Sequence, residues 1–306
     1  MKIGSIDIGT NSMRLLVADY ENNELLNRKK YVNTTRIGEG VDKDGYITEE
    51  AIERNLIAIK EFKEKCIKEK CEKIYCMGTS ALRDSKNGNE FILKAKKETN
   101  IDVDIISGQD ESMFGYNGVV SGVEFKDDIL VLDIGGGSTE FIVGDKLKIK
   151  FSKSENVGAL RMTEKFLKEE IVKEVEFKEM NEFIEKTIED TINHIAKHKI
   201  NKLIGIGGTI TSLSAINQEL EVYSMEKIHN STITKKEIEE ILQKIKCMTL
   251  NDKKTIKGLQ EKRADIITAG VAILDIIMEK IEINEITVSE YDNLEGLICH
   301  KLKKLS

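Results

Sequence analysis

The stretch VLDIGGGSTEFIVGD, Val131–Asp145, sets two acids around a bare length of backbone. Asp133 precedes Gly135, Gly136 and Gly137, and Glu140 follows Ser138 and Thr139. Glycine tolerates positive φ and lets a ligand approach the main chain closely. Successive N–H groups in such a turn form an anion-binding nest, and the Ser138 and Thr139 hydroxyls add donors. Carboxylates beside an anion repel it unless a cation lies between them. Mg2+ suits that place, being hard and oxygen-seeking, and Mn2+ is the other divalent candidate. The residues therefore read either as a phosphate-and-metal loop or as an ordinary glycine-rich hairpin, because such turns are common.

The rest of the chain bears on that choice. SIDIGTNSMRLLVAD, Ser5–Asp19, aligns with the first stretch without gaps when Asp7 is set on Asp133. Gly9 then meets Gly135, Ser12 meets Ser138, and Arg14 stands where the other copy has Glu140. A second pair of segments follows in the same order. MGTSALRD, Met77–Asp84, and IGIGGTITSL, Ile204–Leu213, each read as an apolar strand that reaches Gly-Thr and opens a helix. Phosphate binds at helix N-termini laid out in this way. Internal repetition on this scale predicts a duplicated α/β unit. The candidate phosphate cradle is Gly9, Thr10, Asn11 and Ser12 from one half. Gly136, Gly137, Ser138 and Thr139, with Gly207, Gly208 and Thr209, come from the other.

The elements that must hold these loops follow from periodicity. Strands are expected near 2–8, 12–20 and 24–33, then 73–78 and 101–106. In the second half they fall near 129–135, 138–144, 146–153, 202–207 and 285–289. A helix opens at Thr48, an N-cap type, with Ile52, Leu56, Ile59 and Phe62 on one face. Helical segments are expected near 79–98, and further helices near 109–122, 158–170, 176–198, 235–248, 261–281, and from Thr209 and Asn293. TKKE, Thr234–Glu237, is a capping-box pattern. The halves join near Gly122–Lys126, giving domains 1–122 and 123–306, with the last helix allowed to pack back on the first.

Bulk properties set limits. An apolar content of 40% with 33% charged residues suits a globular chain with a sizeable core. No apolar run approaches the roughly 18 residues of a membrane span, and no signal-peptide pattern opens the chain. The five cysteines form no CxxC pair and no zinc spacing, so they read as reduced thiols of a cytoplasmic protein. A net charge of −7 argues against nucleic acid as a partner. It also means that a polyanion would need a locally basic path, for which Lys257, Lys262 and Arg263 are candidates. A solvated helix face is the other reading of that cluster. His194 and His198 lack the glutamate of an HExxH site and read as surface residues.

IDIGTNSMRLLV, GTSALRD, IISGQDES, LDIGGGSTEF, VGALRMTEKF, GIGGTITSL and KRADIITAG together resemble the Ppx/GppA family, the exopolyphosphatases and guanosine pentaphosphate phosphatases. That family lies within the actin/Hsp70/sugar-kinase superfamily. The resemblance spans nearly the whole chain. It implies duplicated ribonuclease-H-like (actin-like ATPase) domains with an interdomain cleft. It also implies a Mg2+-dependent hydrolase of inorganic polyphosphate or of guanosine penta- or tetraphosphate, with a homodimer as the oligomer to consider.

The resemblance assigns roles as well. Asp133 and Glu140 match the family's metal carboxylates, and Glu111 matches its catalytic glutamate, the acceptor of a proton from the attacking water. Arg83 matches an arginine that holds phosphate oxygens, with a salt bridge to Asp84 or a nearby acid as its structural alternative. Two departures stand out. Asp110 replaces a glutamate beside the catalytic one. Near the end, where the family reads S-x-x-G-L-R-E-G, Asn293 is read at the glycine and Glu295 at the arginine. A sugar- or acetate-kinase-like phosphotransferase and a non-catalytic alarmone sensor are the rival readings.

Overall fold

The computed structural model describes residues 1–169 and 171–303. The chain divides into two compact units, one of Met1–Ser121 with the segment from Tyr291 onward, the other of Gly122–Glu290. The second unit thus stops at Glu290, short of the expected 306, and the final helix belongs to the first unit.

In the first unit β1 (Lys2–Ile8), β2 (Met13–Glu21) and β3 (Glu24–Asn33) form an antiparallel meander. β4 (Lys73–Gly78) and β5 (Asp104–Ile105) extend it in parallel, in the order β3-β2-β1-β4-β5. The helices are α1 (Val41–Asp44), α2 (Glu49–Lys68), α3 (Ser80–Asp84), α4 (Gly88–Thr99) and α5 (Gly108–Gly122). The second unit repeats the plan. β6 (Ile129–Ile134), β7 (Thr139–Gly144) and β8 (Ile149–Glu155) are the meander, and β9 (Lys202–Ile206) lies parallel to β6. A short edge strand β10 (Thr232–Thr234) pairs antiparallel with β11 (Glu285–Val288), giving the order β10-β11-β9-β6-β7-β8. Its helices are α6 (Ala159–Phe166), α7 (Glu174–Ile195), α8 (Gly207–Asn217), α9 (Met225–Ile228), α10 (Lys235–Lys246), α11 (Leu250–Lys254) and α12 (Ile267–Lys280). α13 (Asn293–Lys303) closes the described chain. With β10 set aside, the strands of the two sheets correspond one to one, which is the duplication expected of ribonuclease-H-like halves.

Strand periodicity explains why β1 and most of β2 are buried at consecutive positions. Side chains two apart share a face. Ile6 and Ile8 of β1, with Met13, Leu15 and Val17 of β2, face the core built with α2 and α4. Ile3, Leu16 and Ala18 face the other way and pack under Leu294, Ile298 and Leu302 of α13. Both faces of the sheet are therefore covered, and each fully buried Leu or Ile contributes about 1.5–3 kcal/mol. The Thr48 hydroxyl accepts from the Ala51 amide at 3.2 Å to start α2, which buries Ile52, Leu56, Ile59 and Phe62 as their spacing predicts. Thr234 and Glu237 complete the capping box of α10. At Gly118 and Gly296, α5 and α13 meet backbone against backbone, leaving no room for a side chain at either position.

The helical segments expected over 79–98 are α3 and α4, and between them the Asn87 amide bonds both the N–H and the carbonyl of Ile47 at 2.8 Å. Two elements differ from expectation. The helix expected from 261 begins only at Ile267, after a single 3-10 turn at Glu261–Arg263. The strand expected over 101–106 is confined to Asp104–Ile105. Among the described residues no helix is long and apolar enough to cross a membrane.

Candidate active site

The glycine turn of the second unit joins β6 to β7 and is closed by the Gly135 amide donating to the Ser138 carbonyl at 3.0 Å. Its own carbonyls are all taken. Gly135 accepts from the Ala159 amide at 2.9 Å, and Gly136 accepts from Leu160 and Arg161 at 2.9 and 3.0 Å. The Arg161 side chain then donates from Nε to the Gly137 carbonyl at 2.6 Å. So the start of α6 holds every carbonyl of Gly135–Gly137 from one side. Among the described residues the amides of Gly136, Gly137 and Ser138 donate to no backbone carbonyl. Amides left over in this way, beside one another in a turn, are what an anion nest requires. Gly158 makes the arrangement possible, since a Cβ there would come within 2.5 Å of Gly136 and Gly137.

The two acids flank that turn in register. Asp133 pairs with Glu140 directly across β6 and β7, and Asp133 and Glu140 are only 6% and 1% exposed. Like charges directly opposite each other are destabilising in a sheet. Ser154, opposite Glu140 on β8, donates its hydroxyl to Glu140 Oε1 at 2.7 Å. Asp133 Oδ1 lies against the α carbon of Gly207, which has φ +83° and no space for a side chain. That contact sets the first turn of α8 beside the acid. Gly208, next along, is covered by the buried guanidinium of Arg263. Asp133, Glu140, the Gly135–Ser138 turn, Gly207, Gly208 and Arg263 therefore form one cluster within the second unit.

The first unit carries the same turn with different charges. The Gly9 amide donates to the Ser12 carbonyl at 3.1 Å. The Thr10 and Asn11 carbonyls accept from the Gly38 and Arg36 amides, each at 3.0 Å. Asp7 again pairs across the strands, but with Arg14, whose Nη2 lies 2.5 Å from Asp7 Oδ2. A guanidinium thus occupies the place that a second carboxylate takes in the other copy. Arg14 also donates to Asp292 Oδ2 at 2.8 Å, which settles the direction of its side chain.

Glu111 sits in the first turn of α5 and is 6% exposed. Arg83 Nη1 donates to Glu111 Oε2 and to the Ile106 carbonyl, both at 3.1 Å. Asp84, the alternative partner of Arg83, is farther away at 3.8 Å. The structure therefore ties the candidate phosphate arginine to the candidate base. Asp110 has a local role: Ser107, preceding α5, donates its hydroxyl to Asp110 Oδ2 at 2.8 Å and accepts from the Asp110 amide at 3.1 Å. The shorter acid serves that helix start.

The other sequence candidates have local partners of their own. The Thr139 hydroxyl donates to the Val157 carbonyl at 2.5 Å and is wholly buried, so it is spent inside the fold. The Thr209 side chain packs against Gly270 of α12. Thr10 shares a hydrogen bond of 2.7 Å with Ser80, and Asn11 donates to the Ser12 hydroxyl at 3.1 Å. The basic cluster does not form one solvated face. Arg263 is buried, Lys262 is exposed, and Lys257 pairs with Glu221 at 3.1 Å. His194 is exposed and stacks on Phe151. His229 accepts from the Glu290 amide at Nδ1, so in its neutral form Nε2 carries the proton and donates to the Gly122 carbonyl at 3.1 Å.

The reading of the C-terminal departure needs correction. Counted from Ser289, the pattern S-x-x-G-L-R-E-G puts Asp292 at the glycine, Leu294 at the arginine and Glu295 at the glutamate. Leu294 is fully buried under the first-unit sheet. Glu295 is fully buried and receives Arg28 at 2.8 Å and Lys30 at 3.1 Å. Ser154 and Arg161 were not singled out by sequence reasoning. Counting register back from the β7–β8 turn would have set Ser154 opposite Glu140, whereas nothing local marks Arg161 as the partner of a distant carbonyl.

Comparison with known proteins agrees with this architecture. An exopolyphosphatase from Cytophaga hutchinsonii superposes with a TM-score of 0.91 at 30% identity, covering 99% of this chain and 98% of that one. Exopolyphosphatase 2 of Mycobacterium tuberculosis is 28% identical over 97% of both proteins. A bifunctional 3-dehydroquinate synthase/phosphatase of Fusobacterium nucleatum is 41% identical over 96% of this chain, which spans only 46% of that protein's length. The family profile described as the Ppx/GppA phosphatase family matches residues 17–305, and the chain belongs to that family.

Proposed function

We propose that this chain is a Mg2+-dependent hydrolase that releases the terminal phosphate of a phosphoanhydride. Inorganic polyphosphate is the preferred substrate, and the 5′ γ-phosphate of guanosine pentaphosphate is the close second. The observation that carries the reading is the internal comparison of the two hairpins. Both turns have their carbonyls tied down from one side, but one sets Asp7 against Arg14 and the other sets Asp133 against Glu140. The second pair is a cation site by charge, and its turn is an anion site by its amides. A divalent metal with a phosphate chain answers both.

The donor set fits Mg2+. Among the described residues no group of three or more His, Cys, Asp or Glu side chains is arranged to hold a metal. Mg2+ does not need one, since it keeps several waters and is held by one or two carboxylates plus substrate phosphates. Asp133 and Glu140 would hold it, and there it would neutralise phosphoryl oxygens and draw charge from the leaving group. The protein's own groups supply the rest. The Gly136, Gly137 and Ser138 amides cradle phosphate oxygens, and Arg263 adds a fixed positive charge beside Gly208. Glu111, held in place by Arg83, accepts the proton of the attacking water. Phosphoryl transfer asks for little beyond such positioning and charge neutralisation.

The test is phosphate release with Mg2+ from long-chain polyphosphate, guanosine pentaphosphate, ATP and pyrophosphate in parallel. Glu111→Gln should lower kcat by about 10²–10⁴-fold, the usual contribution of a general base. An unchanged rate in that variant removes Glu111 from the mechanism. No release from any substrate by the unaltered chain removes the hydrolase reading itself.

A further inference from the structure

The end of α2 carries a pair of cysteines in a defined geometry. Lys70 has φ +62° and follows the helix, so it ends α2 in the left-handed region. The Cys71 amide donates to the Cys66 carbonyl at 2.9 Å, and the Lys70 amide donates to the Ile67 carbonyl at 3.0 Å. These two bonds define a Schellman motif, in which the side chains at C3 and C″ are often in contact; here the two thiols are hydrogen-bond partners. Here C3 is Cys66 and C″ is Cys71. A direct N–H···O=C bond between two residues brings their α carbons within the roughly 4.4–6.8 Å that disulfides span.

We propose that Cys66 and Cys71 are an oxidisable dithiol whose disulfide latches the end of α2. Both thiols are free, Cys66 wholly buried and Cys71 partly exposed, so a small oxidant meets Cys71 first. The oxidant is a low-molecular-weight disulfide. The Cys71 thiolate attacks one of its sulfurs and releases one thiolate, forming a mixed disulfide. The Cys66 thiolate then attacks Cys71 Sγ and expels the second. The pair loses two protons and two electrons, and the oxidant becomes two thiols. Burial raises both thiols above the ordinary cysteine range, Cys66 to about 12. Thiolate supply is therefore low and the exchange slow, which suits a latch closed by sustained oxidation.

The latch has something to hold. The Cys66 sulfur lies against Gly4 of β1. Glu72, next to Cys71, is bonded to Lys2 twice, by its amide at 2.8 Å and through its carboxylate to the Lys2 amide at 3.1 Å. β1 leads on to Asp7 and the Gly9–Ser12 turn.

The test is incubation of the full chain with excess glutathione disulfide, followed by intact mass and tryptic mapping. Cleavage after Lys65, Lys68, Lys70 and Lys73 would leave Cys66–Lys68 and Cys71–Lys73 joined only through the sulfurs. The expected result is loss of two hydrogens, that cross-linked peptide pair, and a melting temperature raised by a few degrees relative to the reduced chain. Cys71→Ser should abolish all three, and Cys76→Ser should abolish none. A stable glutathione adduct on Cys71, a link from Cys71 to another cysteine, or thiols left unmodified would each overturn the proposal. None of these readouts depends on phosphatase activity.

Discussion

Glu140 has two carboxylate oxygens, and the Ser154 hydroxyl holds Oε1 at 2.7 Å. That bond restrains one oxygen of a carboxylate that pairs in register with Asp133. Second partners of this sort orient metal-ligating carboxylates, and their removal typically costs about 10–100-fold in metal affinity or activity. Ser154→Ala should therefore raise the Mg2+ concentration for half-maximal activity by about that factor, and Ser154→Thr should restore it. Direct Mn2+ binding followed by electron paramagnetic resonance gives a reading that does not require turnover. Unchanged metal affinity in the alanine variant would mean that Ser154 merely fills space beside the acid. At the same scale, the guanidinium of Arg83 was expected on a phosphate, on Asp84 or on a nearby acid, and the acid it reaches at 3.1 Å is Glu111. Arg83 and Glu111 are separated by 28 in sequence, and no periodic signal marks their contact.

Helices and turns decide whether those residues meet. The start of α6 is the support of the glycine turn, through the Ala159, Leu160 and Arg161 amides. Gly158→Ala would set a methyl group 2.5 Å from the backbone of Gly136 and Gly137, atoms that cannot move aside as a flexible side chain could. Overpacking of this kind costs about 1–3 kcal/mol. The variant should remain folded, lose that stability in urea unfolding, and lose phosphate binding disproportionately, because the strain falls on the turn. Loss of stability with unaltered phosphate affinity would detach the turn from the anion. This scale also separates what was legible in the sequence from what was not. The two hairpins, the α2 stripe and the α10 capping box were legible, because their signals are periods of two and 3.6 or local caps. The late start of α12 at Ile267 was not. Nor were the bonds from Asn87 to Ile47, forty positions away, since no local rule reports a partner so distant. The spent hydroxyl of Thr139 is the same case, since its acceptor on Val157 belongs to another element.

Across the whole molecule one topology is used twice, with opposite electrostatic outcomes. The second unit keeps two acids facing each other, and the first neutralises its copy and extends the charges into a buried network. Arg14 links Asp7 to Asp292, Lys30 links Asp292 to Glu295, and Arg28 joins Glu295 at 2.8 Å while stacking on Tyr291. These pairs bind the returning segment and α13 to β1, β2 and β3, beside the apolar contacts of Leu294 and Ile298. Burial pushes the Asp292 carboxyl up, but Arg14 and Lys30 outweigh it and hold the group well below the ordinary carboxylate range. A depressed carboxylate contributes stability that is present above its unfolded value, about 3.9, and lost as pH falls through the lower folded value. Asp7 runs the other way: burial outweighs Arg14 and raises its proton affinity. Its contribution is present below the unfolded value and fades as pH rises through the folded one. Asp292→Asn should thus cost about 3 kcal/mol at neutral pH, the lower end for breaking a buried pair. That deficit against the unaltered chain should hold down to about pH 5 and shrink below about pH 4, where Asp292 in the unfolded chain takes up its proton. Urea unfolding at stepped pH measures it. A deficit that stays constant into acid would show that Asp292 acts through its shape and hydrogen bonds, with its charge contributing nothing to the closure of the chain on its first unit.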